Sequence, residues 1–394
     1  MKKFFDKKNL FSGLGRNVAV LGLVSFFTDA SSDMIYPLLP LFVTFTLGAS
    51  AEMLGLIEGV AESTASLVKL FSGWLSDKLQ KRKSLAVAGY ALASLARPLM
   101  AMALASWHVL FVRFIDRIGK GIRTSPRDAL IADSTKLEFR GKAFGFHRAM
   151  DHLGAIVGPI LAMGVLFLAP HNYRLVFWLA AIPALLSVII LIVGAKEIAP
   201  ERTAQAPSPH FRGIDGNFRL YLGIVFLFAL GNSSDAFLLL RANDLGVSAV
   251  SIPIIWVVLH VVKALSSMPG GALSDRIGRK KVIILGWIIY ALVYGAFALS
   301  SSAWQAWGLF ALYGVYFGLT EGVEKAFVAD LVKPEMRGLA YGVFNCAIGI
   351  GALPASIIMG VLWHRVNPGV AFLFGAGLAL LASLLLFRVK EKKI

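Results

Sequence analysis

The sequence predicts an all-α integral membrane protein with twelve transmembrane helices in two pseudo-symmetric six-helix bundles. Its composition, its long apolar runs and an internal repeat predict this fold. Of the 394 residues, 57% are hydrophobic and only 16% are charged, and the mean hydropathy is +0.72. Soluble proteins average about 25% charged residues, so this chain has too little charge to cover the surface of a soluble enzyme.

Twelve apolar runs are each long enough, at roughly 20 residues, to cross a hydrocarbon core of about 30 Å as a helix. They lack the period-two alternation over about ten residues that marks barrel strands. Pro37 and Pro40 predict a kink in the first run. The predicted spans are 18–47, 53–75, 84–105, 107–131, 143–168, 175–195, 219–240, 250–273, 282–300, 304–330, 339–362 and 368–387.

The basic residues predict the orientation, because cytoplasmic loops carry an excess of Lys and Arg. If the N-terminus is cytoplasmic, 26 of the 39 Lys and Arg residues lie in segments on that side. Only Arg174, Arg241 and Arg365 lie in loops on the other side. This asymmetry predicts a multi-pass protein of the cytoplasmic (inner) membrane with both termini in the cytoplasm. It also accounts for the net charge of +16 without nucleic acid as a partner.

The two halves of the chain resemble each other. Residues 73–83 match 271–281 at an offset of 198. The other matches are 132–133 with 329–330, 140–141 with 337–338, Gly154 with Gly351, and 31–33 with 233–235. This repeat predicts one bundle in residues 1–195 and another in 219–394, joined by a polar cytoplasmic linker at 196–218. Duplicated halves are the architecture of alternating-access transporters, whose substrate site lies between them at mid-membrane.

Three motifs resemble those of the major facilitator superfamily. The loop Gly-x-x-x-Asp-Lys/Arg-x-x-Lys/Arg-Lys/Arg after span two occurs in both halves. Arg117-Ile-Gly-Lys120-Gly121 resembles the family's span-four motif, with lysine where glutamine is more usual. Gly154-x-x-x-Gly158-Pro159 resembles a span-five motif associated with antiporters, but Leu161-Ala162 replaces the glycine pair expected downstream. That departure weakens an assignment to antiport or drug efflux.

The resemblance implies a gate in the repeated loop. In the family, the loop aspartate holds the inward side shut by pairing with basic groups and a helix N-terminus. A carboxylate at such a dipole end contributes about 0.3–1 kcal/mol when exposed, which suits a contact that must break during transport. The alternative is a plain turn with basic topology residues. The candidate gating residues are Gly73, Asp77, Arg82, Gly271, Asp275 and Arg279.

Span four carries five basic residues on one helical face, at spacings of 4, 3, 3 and 4. They are Arg113, Arg117, Lys120, Arg123 and Arg127. A charge at the bilayer centre costs roughly 2.5–3.5 kcal/mol, so this basic stripe must face protein or a water-filled cavity. It pairs with Asp116, Asp128, Glu58, Glu62 or Asp151, or it binds an anionic substrate, or Arg117 tunes a proton-carrying carboxylate. These three interpretations overlap.

Several acidic residues in the spans are candidate proton carriers. Asp29 and Asp33 lie one turn apart in span one, where two carboxylates are costly to ionise together, and Asp235 repeats Asp33 in the second half. Each also suits a structural role as a counterion to the basic stripe. Histidine titrates near neutral pH, so His147 and Asp151 form a further candidate relay. The proton-coupling candidates are Asp29, Asp33, Glu58, Glu62, His147, Asp151 and Asp235.

The leading hypothesis is a proton-coupled secondary transporter of a small anionic organic solute, such as an organic carboxylate or a carboxylate-type siderophore. Arg113, Arg117 and Lys120, with Glu321 and Tyr313 in the second half, are its predicted substrate-binding residues. A proton-coupled drug exporter is the first alternative, and a non-transporting membrane sensor or scaffold is the second. The only cysteine is Cys346, and no nucleotide-binding loop, metal signature or cofactor fingerprint is found. We therefore expect no cofactor, no metal site and no enzymatic activity, and a monomer whose partners are solute, protons and lipid.

Overall fold

The computed structural model describes residues 15–79, 81–135, 140–198, 215–332 and 337–390. These residues are helical almost throughout, and no strand occurs among them. Spans one to six are Arg16–Thr46, Ala51–Leu79, Arg82–Ala101, Ser106–Asp133, Arg140–Leu168 and Tyr173–Gly194. Spans seven to twelve are Gly216–Asp244, Ile252–Ile277, Arg279–Leu299, Ala303–Leu331, Arg337–Arg365 and Pro368–Leu386. The prediction of an all-α membrane fold with twelve spans is confirmed.

Nine of the spans are long and apolar enough to cross a membrane by themselves, counted over the described ranges. Spans two, four and ten fall outside this group, because charged and weakly hydropathic residues interrupt their apolar runs. In lipid, a helix satisfies its own backbone hydrogen bonds, but its charged side chains need partners or water. These three spans therefore have to face the interior of the bundle.

Span one bends where its prolines predict it. The α-helix ends at Ile35, a 3-10 turn follows over Tyr36–Leu38, and Phe42–Thr46 is a π-helical turn. Proline lacks the amide proton that a continuous α-helix uses. The kink places Tyr36 and the segment after it against the second half of the chain, where the Tyr36 and Trp256 rings lie 5.1 Å apart.

Span seven is broken, which the sequence analysis did not predict. One helix ends at Gly231 and a second begins at Ala236 and continues to Asp244, so the predicted span over 219–240 is present but interrupted. Asn, Ser and Asp side chains compete for backbone hydrogen bonds. The Ser234 hydroxyl accepts from the Ala236 amide at 3.3 Å. The break brings Asp235 to the centre of the bundle.

Matching contacts recur in the two halves. The Asn17 side chain bonds both to the Lys196 amide and to its carbonyl, at 2.8 and 2.9 Å. Asn217 makes the same two bonds to Lys390, at 2.8 and 2.7 Å. Asn172 and Asn367 cap the sixth and twelfth spans through equivalent bonds. Residues 199–214 of the linker lie outside the described ranges, and the division at 196–218 stays a prediction.

Glycines join the halves on one side of the bundle. We call the side that holds Arg82 and Arg279 the basic side, and the other the opposite side. Near the opposite side, spans two and eleven approach closely, since a Cβ at Gly59 would lie 3.0 Å from the Leu353 Cα. The Arg365 side chain also donates to Glu52 at 2.8 Å between the same two spans. These contacts close the molecule toward the opposite side.

Gly360→Ala is expected to lower the midpoint of thermal unfolding in detergent. The added Cβ would lie 2.5 Å from the Ala51 carbonyl oxygen, so spans two and eleven must separate. Overpacking of this kind costs roughly 1–3 kcal/mol. Gly377→Ala in span twelve is the matched control, because a Cβ there meets nothing within 4 Å. Equal unfolding midpoints for the two variants would show that the glycine contact does not hold the halves together.

Candidate functional site

A central cavity of about 290 Å³ lies between the two halves, and a second of about 250 Å³ adjoins it. Tyr36, Glu62 and Asp235 line both. Bases and carboxylates are equally numerous in the lining of the central cavity. The bases are Arg97, Arg113, Arg117, Lys120, Arg123, Arg148 and Lys263, and the carboxylates are Asp29, Asp33, Glu62, Asp116, Asp151, Asp235 and Glu321. The cavity is therefore close to electrically balanced when all of these groups are ionised.

Arg113 is held by Glu58. Its guanidinium donates to both carboxylate oxygens at 2.7 and 2.9 Å, and both side chains are buried. Such a fork is a strong charge-assisted contact. Ser234, from the broken span seven, donates to the same carboxylate at 3.2 Å. Glu58 thereby connects the basic stripe to the second half.

Asp116 is the hub of a second group of ion pairs. Arg97, Arg113 and Arg117 place nitrogens 3.2, 3.7 and 3.8 Å from its carboxylate. Arg117 also lies 3.6 Å from Glu62, whose side chain is 46% exposed. The geometry thus favours internal ion pairing for Arg113 and Arg117, two of the predicted substrate-binding residues.

Lys120 and Arg123 differ from the rest of the basic stripe. Among the described residues, neither has a carboxylate within 4.0 Å. Lys120 is exposed in the cavity wall, whereas Arg123 is 6% exposed. The Arg123 guanidinium lies over the Tyr90 ring at 4.5 Å, and its Nε and Nη1 atoms have no hydrogen-bond partner in the described part of the chain.

Three predicted proton carriers line the cavity with no Lys or Arg nitrogen within 4.0 Å among the described residues. Asp33 accepts a hydrogen bond from the Trp256 indole at 3.0 Å, across the interface between the halves. Asp235 accepts one from the Tyr313 hydroxyl at 2.7 Å. Asp29 has neither a hydrogen bond nor an ion pair within the described residues. These carboxylates can gain or lose a proton without breaking an ion pair.

The remaining predicted proton carriers are engaged elsewhere. Asp151 accepts from Ser25 and lies 3.5 Å from both His147 and Arg148. It does not contact the basic stripe in the described structure, unlike one of the sequence interpretations. Asp128, another predicted partner of the basic stripe, does contact it, because it accepts a hydrogen bond from its chain neighbour Arg127 at 2.9 Å.

The second half supplies aromatic groups and one ion pair. Lys263 lies 2.8 Å from Glu321, which lines the cavity, and 4.4 Å from the Phe317 ring centre. Tyr313 is fully buried and absent from the lining of either described cavity, and its hydroxyl donates to Asp235. Tyr313 lies within a cluster of tyrosines, and this burial keeps its side chain out of the cavity wall.

The repeated loops hold equivalent arginines. Arg82 pairs with Asp133 and donates to the Ala129 carbonyl at 3.0 Å. In the second half, Arg279 pairs with Asp330 at 2.7 Å and donates to a carbonyl at 2.6 Å. The side chains of Asp77 and Asp275 and the surroundings of Gly73 lie outside the described part, and a Cβ at Gly271 would meet nothing within 4 Å.

Arg97 is one of the cavity residues that the sequence analysis did not select. It bonds Ser32 of span one at 2.7 Å and Asp116 of span four at 3.2 Å. The available signal was a lone arginine inside an apolar span, which is costly unless it faces a partner. The regular spacing of the basic stripe drew attention to span four instead.

The chain is similar to known membrane transporters. A family model described as Major Facilitator Superfamily matches residues 21–257 and 220–394. An uncharacterized MFS-type transporter of Methanocaldococcus jannaschii is 35% identical, over 95% of this chain and 94% of the relative. Multidrug resistance protein MdtG of Proteus mirabilis is 25% identical, over 96% and 97%. The crystal structure of nucleoside transporter NupG superimposes with a TM-score of 0.77 at 16% identity, covering 95% of this chain and all of that one.

Glu58→Gln is expected to lower the thermal unfolding midpoint strongly, because it leaves the buried Arg113 without its charge partner. Removing one member of a buried ion pair costs roughly 3–5 kcal/mol. Lys120→Gln is the control, since no described carboxylate lies within 4.0 Å of Lys120. Both midpoints are read by thermal unfolding of the purified protein. A Glu58→Gln midpoint as high as that of Lys120→Gln would mean that the pair is structurally dispensable.

Proposed function

Because the chain belongs to the major facilitator superfamily of secondary transporters, we propose that it moves a small anionic organic solute across the cytoplasmic membrane by proton-coupled alternating access. It is a multi-pass membrane transporter and not an enzyme. One observation carries the proposal. Among the described residues, the central cavity holds a cation with no carboxylate within 4.0 Å, Lys120, and three carboxylates, Asp29, Asp33 and Asp235, with no Lys or Arg nitrogen within that distance.

Lys120 is the proposed contact for the anionic group. Arg113 and Arg117 form the wall behind it, where Glu58, Glu62 and Asp116 already balance their charge. Ligand cavities commonly measure about 300–1,000 Å³, and this one is at the lower end at about 290 Å³. That size supports a small organic carboxylate over a bulky siderophore.

Asp33 is the proposed main proton carrier. Its hydrogen bond to Trp256 crosses between the halves, so rocking one half against the other changes the surroundings of this carboxylate. Protonation and conformation are then linked through one side chain. Asp29 and Asp235 are the next candidates, and the His147–Asp151 pair is a proposed relay toward the basic side. Glu62 is a further candidate because it is partly exposed, whereas the buried Glu58 is the weakest.

The distribution of Lys and Arg supports the proposal that the basic side faces the cytoplasm and that both termini lie in the cytoplasm. The opposite side is closed, and Arg148, which lines the cavity, has a side chain that is 62% exposed. We infer that this state faces the cytoplasm. We propose that the repeated loops close the basic side in the other state of the transport cycle. The gating residues are Asp77 and Arg82 in the first loop and Asp275 and Arg279 in the second, with Gly73 and Gly271 near the helix ends. The transporter is proposed to act as a monomer without a cofactor.

Proton-coupled drug export is the second candidate. The relationship to MdtG favours it, as do the aromatic side chains of Tyr36, Trp256 and Phe317 along the cavities. Uptake and efflux of a panel of anionic, neutral and cationic compounds in proteoliposomes, with and without a pH gradient, separates the two. Gradient-driven movement of small carboxylates supports the leading proposal. Movement of amphipathic cations alone supports export of drugs, and no movement of any compound supports a sensor or scaffold.

Asp33→Asn is expected to abolish accumulation driven by a pH gradient while leaving the protein folded. The amide keeps the size of the side chain and an oxygen that accepts from Trp256, but it cannot exchange a proton. Asp244→Asn, at the exposed end of span seven, is the matched control and should transport normally. Transport is measured in proteoliposomes against the pH gradient. Unchanged accumulation by Asp33→Asn would move the proton role to another carboxylate.

Lys120→Gln is expected to weaken binding of an anionic compound by about tenfold or more and to leave binding of a neutral analogue unchanged, because a contact between charged groups is lost. Calorimetric titration with a matched pair of compounds measures both affinities. Arg148→Gln is the control, since Arg148 already lies beside Asp151. If wild type and Lys120→Gln show the same preference between the two compounds, Lys120 is not the anion contact.

A further inference from the structure

We propose that Lys120 and Arg123 together form a site for a dianionic head group, the chemistry of a dicarboxylate or a phosphate monoester. This inference rests on the proposed function and specifies its substrate class. Arg123 was not among the substrate-binding residues that the sequence predicts. It lies three residues after Lys120 on the same face of span four, and both line the central cavity.

Arg123 is a buried cation with free hydrogen-bonding capacity. The residue is 6% exposed, and its Nε and Nη1 atoms have no hydrogen-bond partner in the described structure. The described part of the chain places no carboxylate within 4.0 Å of it. A buried charge is costly unless it is paired and hydrogen-bonded. A ligand anion is therefore the partner that fits this guanidinium.

The surrounding structure holds Arg123 in place. Spans three and four touch through glycine, since a Cβ at Gly89 would lie 2.7 Å from the Arg123 backbone nitrogen. The Tyr90 ring covers one side of the guanidinium at 4.5 Å. The Tyr90 hydroxyl is also buried without a partner in the described chain. A cation fixed in this way is pre-organised, which limits the conformational cost of binding.

The charge count favours two negative charges on the ligand. The other bases of the first half that line the cavity are Arg97, Arg113, Arg117 and Arg148, and each lies within 4.0 Å of a carboxylate. Asp29 and Asp33 are the carboxylates that offset Lys120 and Arg123 when ionised. When Asp235, the third described carboxylate without an adjacent cation, is protonated together with Asp29 and Asp33, two cations, Lys120 and Arg123, remain uncompensated. A dianion neutralises both, with the arginine fork binding two oxygens and the lysine acting as a point charge.

The test compares succinate and inorganic phosphate with butyrate, a monoanion that matches succinate in carbon number. Titration calorimetry on the full-length protein in detergent measures the affinities. Wild type is expected to bind succinate or phosphate at least about tenfold more tightly than butyrate, because one further charge-assisted contact forms. Arg123→Gln should remove this preference and leave butyrate binding little changed. Arg148→Gln, which alters another arginine of the cavity, should keep the preference.

Arg123→Lys is a second variant that keeps the test decisive if Arg123→Gln misfolds. It keeps the positive charge but cannot donate the two parallel hydrogen bonds of the arginine fork. It should bind succinate with intermediate affinity. Equal wild-type affinity for succinate, phosphate and butyrate, or an unchanged preference in both Arg123 variants, would overturn the dianion site. If the dianion site is overturned in this way but Lys120→Gln still weakens butyrate binding, the proposal of anion transport stands without a dianion site. Failure of wild type to bind any of the three anions would overturn the dianion site and remove the support for the anion proposal.

Discussion

The cost of placing a charge in hydrocarbon governs how the centre of this molecule is built. A single ion at the bilayer centre costs several kcal/mol, yet span four alone carries five bases on one face. The structure meets this cost by pairing. Arg113 forms a fork with Glu58, and Asp116 lies between three arginines. These ion pairs connect spans two, three and four, so the same contacts that neutralise the charges also fix the wall of the cavity.

The balance of charge around the cavity links solute to proton in the proposed mechanism. Bases and carboxylates are equal in number along the lining. An anion that enters this space alone would upset that balance in a region of low dielectric constant, where uncompensated charge is costly. Protonation of a carboxylate such as Asp33 or Asp29 restores it. The solute is therefore expected to enter together with protons, and the Asp33–Trp256 bond relates that event to the relative position of the two halves.

The fold could be predicted from the sequence because its signals are local. Apolar run lengths predict the spans, and the two prolines of span one predict its kink, which the structure confirms. The break in span seven was missed, since four polar residues inside a long apolar run leave the hydropathy high. The span-four spacing correctly indicated residues that face the interior. It could not show that Arg117 is paired while Arg123 has no carboxylate within 4.0 Å among the described residues, because that depends on residues from other spans.

The same limit applies to the candidate site. The sequence could indicate which residues line the cavity, but not which residues they contact. Asp33 and Asp235 were selected because they occupy repeated positions, and both line the cavity. Their contacts, Trp256 and Tyr313, come from spans eight and ten, more than seventy residues away along the chain from either aspartate. Tyr313 was predicted to bind substrate, but it packs within a group of buried tyrosines. Only the packing of the helices decides such pairings.

The number of protons taken up when the anion binds tests the coupling most directly. Purified protein in weakly buffered solution near neutral pH is mixed with the best anionic substrate from the transport panel, and a pH indicator records the change. The account predicts uptake of at least about one proton per anion bound, because the cavity otherwise gains an uncompensated negative charge. Anion binding with no proton uptake, or with proton release, would contradict it.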